Sequence, residues 1–387
     1  MKKFKNAKRW LSLALAGAVC FSLVSCGSKG GKDENKTIIL ENVTTAKNII
    51  LLIGDGMGPN QVTVGEIFKG EKLTMQKFPY ATKVETRSAN SVVTDSAAAA
   101  TALATGVRTN NGVVGKNEAL EELTTIVDIA HGLGKRTGII ATEELWGATP
   151  MGFSGHAKVR DQSRDLIQSA ATTSNVNFFG SYLLDKTYRD ILEDAGYEKI
   201  EKVDDVSKAT GDKLYHACII DAKAPSMSDS IAETALDRLV VEALDYLSQD
   251  EDGFFLMAEG SHIDHGGHNN DIEYMIDELM AFDDAVQAVL EWAEGRDDTV
   301  VIVTADHETG DLQLYDGLNQ ETLMEAYNGN GYSEYFDWGS TGHSAADVWC
   351  FINGADVDFS QYSFETDELI MNTDVFRIMC DLFGVES

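Results

Sequence analysis

The sequence predicts an α/β fold: a mostly parallel central sheet with helices on both faces. Two observations carry that expectation. Four short apolar runs, Asn48 to Ile53, Thr137 to Ala141, Phe254 to Ala258 and Thr299 to Thr304, are continuously hydrophobic, as strands buried on both faces are. Between them stand longer segments of helical pattern, Leu123 to Gly132, Ser228 to Ser248 and Ile272 to Glu294. Strands alternating with helices of this length form parallel crossover units, and such sheets gather ligands beyond the carboxyl ends of their strands.

The first residues are of another kind. Lys2, Lys3, Lys5, Lys8 and Arg9 precede an apolar run, Leu11 to Val24, that is short for a bilayer span and suits the core of a signal peptide. It ends in Leu23-Val24-Ser25-Cys26, which resembles a bacterial lipobox. Residues 1–25 are therefore expected to be a removed leader, Cys26 to carry a lipid, and 26–45 to form a tether. Residues 46–387 read as one domain without linker or repeat, placed in the cell envelope outside the cytoplasm.

The formal net charge is −32, and loss of five leader cations and no acid would take it to about −37. That balance argues against charge-driven binding to nucleic acid or to anionic membrane surfaces. Beyond the leader, Cys218, Cys350 and Cys380 are odd in number and lack metal-ligand spacing, so no disulfide framework is expected. Cys350, within Val348-Trp349-Cys350-Phe351-Ile352, reads as core.

Each predicted strand delivers polar residues. Gly54-Asp55-Gly56 follows the first, and Thr149 lies in the loop after the second, in Trp146-Gly147-Ala148-Thr149-Pro150. After the third comes Glu259-Gly260-Ser261-His262-Ile263-Asp264-His265-Gly266-Gly267-His268, and Asp306-His307 stands just past the fourth. Gly342-His343 adds another imidazole in a glycine-containing loop. A lone histidine is usually a satisfied core residue, but three within seven residues, interleaved with glycine, do not suit a core. Clustering over three segments predicts a site for several metals. Aspartate with histidine suits Zn²⁺, whereas glutamate and threonine oxygens suit Mg²⁺.

Ser96 is the candidate nucleophile, in Val93-Thr94-Asp95-Ser96 before a run of alanines. Alanine favours helix, and Asp95 and Ser96 both stand where caps belong. Two readings are open here. Ser96 is either a cap or a hydroxyl presented at a helix start, where free N–H groups suit a phosphate and a nearby Zn²⁺ can deprotonate it.

Taken together, these segments resemble the alkaline phosphatase family. Asp55-Gly56-Met57-Gly58, Asp95-Ser96-Ala97, Glu259-Gly260 with Asp264 and His268, Ala305-Asp306-His307 and Gly342-His343 match in family order between residues 48 and 349. The resemblance implies hydrolysis of phosphate monoesters to alcohol and inorganic phosphate, with Ser96 as the phosphorylated nucleophile. It implies one zinc ion on Asp264, His268 and His343, a second on Asp55, Asp306 and His307, and a magnesium ion on Asp55, Thr149 and Glu259. Arg160 stands at the family's phosphate-clamping arginine by its spacing from Thr149, with Arg164 as rival, and Asp95 would orient it. A guanidinium fork matches two phosphate oxygens. Double in-line displacement through phosphoserine follows, with the metals stabilising the entering and leaving oxygens. A homodimer is implied as well.

The alternatives are a phosphodiesterase or other hydrolase of the same superfamily, and a non-catalytic metal- or phosphate-binding lipoprotein. A sulfatase would need Cys/Ser-x-Pro-x-Arg, which Asp95-Ser96-Ala97-Ala98 is not. One departure stands out. Relatives carry Asp or His two residues before the third-site threonine, where this chain has Gly147. The magnesium ion is therefore expected to be held weakly or replaced by another divalent metal, with His265 drawing a transition metal. The alternative is that Trp146, Glu143 or Glu144 fills the gap instead; otherwise Gly147→Asp is expected to tighten Mg²⁺ binding. The aromatic stretch between Asp311 and Gly339 is left open between site cover, dimer contact and core.

Overall fold

Apolar runs without an exposed side must be covered twice, and the central strands are. The computed structural model describes residues 45–219, 236–329, 331, 333–354 and 369–386. The expected leader, Cys26 and nearly all of the tether lie outside the described residues, as do positions 228–235 of the expected 228–248 helix. Strands β1 (Asn48–Gly54), β7 (Phe254–Gly260) and β8 (Thr299–Thr304) are buried at every position and lie parallel, with β1 between the other two. Beyond β7 the parallel sheet continues through β3 (Arg136–Glu144), β4 (Phe178–Leu184), β6 (Leu214–Ile219) and β5 (Glu198–Lys199). Beyond β8 comes β13 (Val348–Gly354), antiparallel to β8 and to β2 (Tyr80–Glu85), and then β14 (Ile370–Met371). Two small antiparallel ladders stand apart, β9 (Glu308–Thr309) with β12 (His343–Ser344) and β10 (Leu312–Leu314) with β11 (Phe336–Trp338).

Helices cover the sheet in two groups. One contains α1 (Pro59–Lys69), α7 (Leu236–Leu247) and α9 (Ile272–Ala293), and the other α2 (Ser96–Thr105), α3 (Ile126–Gly132), α4 (Ala148–Ser154) and α11 (Asn372–Leu382). The remaining helices are α5 (Ser163–Thr173), α6 (Lys186–Asp194), α8 (His262–His268) and α10 (Gln320–Tyr327). Among the described residues, no helix is long and apolar enough to cross a membrane.

Three local expectations change. The helix expected from Leu123 begins at Ile126, because Thr125 and Asp128 close a reciprocal cap in which each side chain accepts from the other's backbone N–H. Thr149 is in the first turn of α4 rather than in a loop, and His343 sits on the two-residue strand β12 rather than in one. In the aromatic stretch, Leu312, Leu323 and Phe336 are buried, and the Tyr327 ring lies 4.8 Å from that of Phe68. That part is core, while Tyr315 stays exposed. Cys350 and Cys380 are buried free thiols.

Candidate active site and metal centre

Because β1, β3, β7 and β8 run parallel, their carboxyl ends deliver side chains to one edge of the sheet. Asp55 is the first residue beyond β1, held by its N–H donating to the Gly260 carbonyl at 3.1 Å. Gly56 follows with φ +74°, and a Cβ there would fall 2.6 Å from the Cα of Asp264. Only glycine allows both that backbone and that approach, which presses the β1 turn onto α8. The Gly56 N–H donates to Oδ1 of Asp306 at 3.2 Å. His307 Nε2 lies 3.1 Å from Asp306 Oδ2 and 3.6 Å from Asp55 Oδ1. One ligand atom from each of Asp55, Asp306 and His307 fits within a 4.8 Å cluster.

A second cluster of the same span joins Asp264, His268 and His343. The turn of α8 puts Asp264 and His268 on one face, with His268 Nε2 3.2 Å from Asp264 Oδ2. β12 brings His343 Nε2 to 3.6 Å from Asp264 Oδ1 and 3.3 Å from His268 Nε2. Both imidazoles donate from Nδ1 to backbone carbonyls, His268 to Thr341 at 2.6 Å and His343 to Thr94 at 3.0 Å. Those bonds fix the tautomer that turns each Nε2 lone pair inward. Thr309 ties the clusters together: its hydroxyl donates to Asp264 Oδ1 at 2.5 Å and lies 3.2 Å from His307 Nδ1. Nothing in the sequence pattern had marked Thr309.

Ser96 is the first residue of α2, and the cap is Asp95. Asp95 accepts from the N–H of Ala98 at 3.0 Å and of Gly112 at 2.9 Å, and its Oδ2 lies 3.5 Å from Arg160 Nη1. The Ser96 hydroxyl is therefore free of capping. It is buried and stands 3.2 Å from His307 Nε2. Arg160 keeps 38% of its side chain exposed, a guanidinium that is anchored yet accessible. Its rival Arg164 is exposed on α5.

The third grouping is made of oxygens alone. Glu259 is fully buried between β3 and β1, opposite Ala141 on one side and Ile53 on the other. Neither of its carboxylate oxygens has a hydrogen-bond partner, and the same holds for Thr149 Oγ1 and Asp55 Oδ1. Buried oxygens of this kind are costly unless a cation meets them. Burial first, then the charges of Asp306, Asp264 and Glu259, push the Asp55 carboxyl well above its usual range. Burial and Glu143 do the same to Glu259. The Asp264 hydrogen bond lifts His268 to about 9, and Asp306 holds a proton on His307 against the effect of burial. Without metal, protons stand where positive charge is needed, so the donor sets fit divalent cations. His265 joins neither cluster; its Nε2 lies 3.9 Å from Glu143 Oε2.

The alkaline phosphatase family model matches residues 46–217 and 220–330. The chain belongs to the alkaline phosphatase family. This family hydrolyses phosphate monoesters. Alkaline phosphatase 3 of Bacillus subtilis is 32% identical over 338 residues, which cover 81% of this chain and 71% of that one. Alkaline phosphatase of Escherichia coli is 31% identical, over 73% of this chain and 74% of its own. Among solved structures, alkaline phosphatase from the Antarctic bacterium TAB5 superposes with a TM-score of 0.76 at 28% identity, covering 89% of this chain and all of that one. Two variants of the TAB5 alkaline phosphatase, with histidine changed to aspartate or to glutamate, have been solved with Mg bound in the M3 site.

Proposed function

We propose that this phosphatase works through a phosphoserine on Ser96, with two zinc ions and one magnesium ion in its three donor groups. Zinc would be held by Asp264, His268 and His343 and by Asp55, Asp306 and His307, and magnesium by Asp55, Thr149 and Glu259. Mixed imidazole and carboxylate donors suit the first ion, and the oxygen donors suit the second. The Mg found in the M3 site of TAB5 variants supports the magnesium assignment. When bound, such ions lower the pKa of a coordinated hydroxyl or water and offset phosphoryl charge.

One observation carries the reading: the Ser96 hydroxyl is not spent on capping and faces His307 Nε2 at 3.2 Å. At the start of α2 it has free N–H groups and the positive end of the helix beside it. Arg160, 3.5 Å from Asp95 and accessible, would receive two oxygens of the transferring group. As the bond from Ser96 Oγ to phosphorus forms, the ester bond breaks, and the proton lost by Ser96 balances the departing alcohol. Water then cleaves phosphoserine to give inorganic phosphate and the free hydroxyl. Recognition falls on the phosphate, so the alcohol matters little. We also carry forward, from the sequence, a leader at 1–25, a lipid on Cys26 with a tether at 26–45, an envelope location and a homodimer.

The deciding experiment compares a nitrophenyl monoester with its diester, and wild type with Ser96→Ala. Turnover of the monoester should dominate and fall by on the order of 10³-fold or more in Ser96→Ala, with zinc content unchanged. Acid quenching during turnover of labelled substrate should leave label on Ser96. Near-normal turnover in Ser96→Ala ends the covalent mechanism, and faster diester cleavage assigns a phosphodiesterase. Metal and phosphate binding without turnover would assign the non-catalytic reading.

A further inference from the structure

We infer that Glu143 supplies the third cation site with the carboxylate that position 147 lacks. The inference rests on the alkaline phosphatase reading of the metal groups.

A Cβ built on Gly147 would fall 2.0 Å from Glu143 Oε1 and 2.8 Å from its Cδ. The volume that a side chain at 147 would enter is thus already filled by a carboxylate from β3. Chain geometry explains how it gets there. Gly147 precedes α4 and donates its N–H to the Glu144 carbonyl at 2.8 Å, a tight turn that folds the end of β3 against the α4 cap. On the sheet, Ala141 pairs with Glu259 and Glu259 pairs with Ile53, so Glu143 and Asp55 each stand two residues past a partner of Glu259. Three adjacent parallel strands therefore send Glu143, Glu259 and Asp55 to the same edge of the sheet, with Glu143 and Asp55 beyond Glu259. The pairing of β3 with β4 shifts register between Ala141 and Glu144, which breaks strict alternation where Glu143 leaves the strand.

The group is built for a cation. Glu259 is fully buried with both oxygens unpartnered, and the buried Thr149 hydroxyl is unpartnered too. Only 17% of the Glu143 side chain is exposed. His265, 43% exposed, lies 3.9 Å from Oε2 of Glu143. Glu259, Thr149 and Asp55 offer oxygens alone, and Glu143 adds a carboxylate at their edge that can act through the water Mg²⁺ retains, a hard set that favours Mg²⁺ over softer ions. On this inference Glu143, among the neighbours the sequence offered, fills the gap at Gly147, and the site is not weak. Gly147→Asp would drive its side chain into Glu143 and should not tighten binding.

The test is calorimetric titration of Mg²⁺ into the zinc-loaded full-length protein, with zinc content measured in parallel. Wild type should take up Mg²⁺, and Glu143→Gln, which keeps the shape, should weaken it by about ten-fold or more while zinc stays bound. Gly147→Asp alone should bind no tighter than wild type. In Glu143→Ala combined with Gly147→Asp the carboxylate is moved from β3 to the α4 cap, and affinity should return to within a few-fold of wild type. Wild-type affinity in Glu143→Gln, or tighter binding in Gly147→Asp alone, overturns the inference and leaves the phosphatase reading standing. A wild-type protein that holds zinc but takes up no Mg²⁺ overturns the third site and this inference together. A protein that holds neither metal and turns over no monoester removes the reading beneath both.

Discussion

Thr309 is the side chain on which both proposed zinc groups lean. Its hydroxyl meets Asp264 at 2.5 Å and Nδ1 of His307 at 3.2 Å, and it is fully buried. Donating to the carboxylate leaves its lone pairs for the imidazole N–H, which turns His307 Nε2 toward Asp55 and Ser96. Thr309→Val keeps the shape and removes both bonds. Zinc should then be held about 10- to 100-fold more weakly, read by competition with a chromogenic chelator, with the fold intact by circular dichroism. Unchanged retention of zinc would mean that Thr309 only packs. Histidines and carboxylates interleaved with glycine are rare enough to be noticed in a sequence, whereas a threonine announces nothing. Its role exists only because β9 packs against α8, which brings residue 309 to Asp264.

At the scale of elements, the proposed nucleophile and the proposed third cation group are coupled through the packing of α2 on α4. A Cβ on Gly152 would fall 2.5 Å from Ala100 Cβ and 3.0 Å from the Ala100 carbonyl carbon. Backbone cannot yield as a flexible side chain would. Gly152→Ala should therefore separate the helices, costing about 1–3 kcal/mol in urea denaturation. Turnover should fall further than zinc content, because Ser96 rides on α2 and Thr149 on α4. Full turnover at reduced stability would show that the spacing of these helices does not matter to the chemistry. These two helices were legible to different degrees. The alanine run and its acidic cap mark α2, but α4 is barely two turns with a proline inside its first turn, and tertiary contact decides it. Likewise β1, β7 and β8 were legible because they are buried on both faces, while the two residues of β12 carry no period at all. The start of α3 is hidden in the sequence because Leu123 continues the apolar pattern across the Thr125 cap.

For the molecule as a whole, a net charge of −32 meets an acidic site that needs cations to be comfortable. Without metal, burial pushes Glu143 up to about 8 and Glu278 up to about 7, and the Asp264 hydrogen bond lifts His268 to about 9. Each of these binds its proton more tightly folded than unfolded, so its stabilisation is complete below the unfolded pKa and is lost as pH rises through the folded one. His262 and His343, pushed down to about 4 mainly by burial, act oppositely, but their contribution is complete once pH exceeds the unfolded histidine value. The metal-free protein should therefore lose melting temperature between about pH 6.5 and 9, and zinc with magnesium should flatten that slope by taking the place of the protons. Melting curves in chelator and in metal across that range check it, and a flat metal-free profile would contradict it. The sheet has a further property that concerns time rather than energy. Its central strand, β1, is the first of the described strands to be made, yet its neighbours arrive only at residues 254–260 and 299–304. Each pairing closes a loop of roughly two hundred residues or more, a slow event for a diffusing chain. Until ribosomes have passed Thr304, β1 is an open edge seeking a partner, and any sticky strand from another chain can take that place. Crowded, half-made copies are thus the moment at which this protein is most exposed to misassembly.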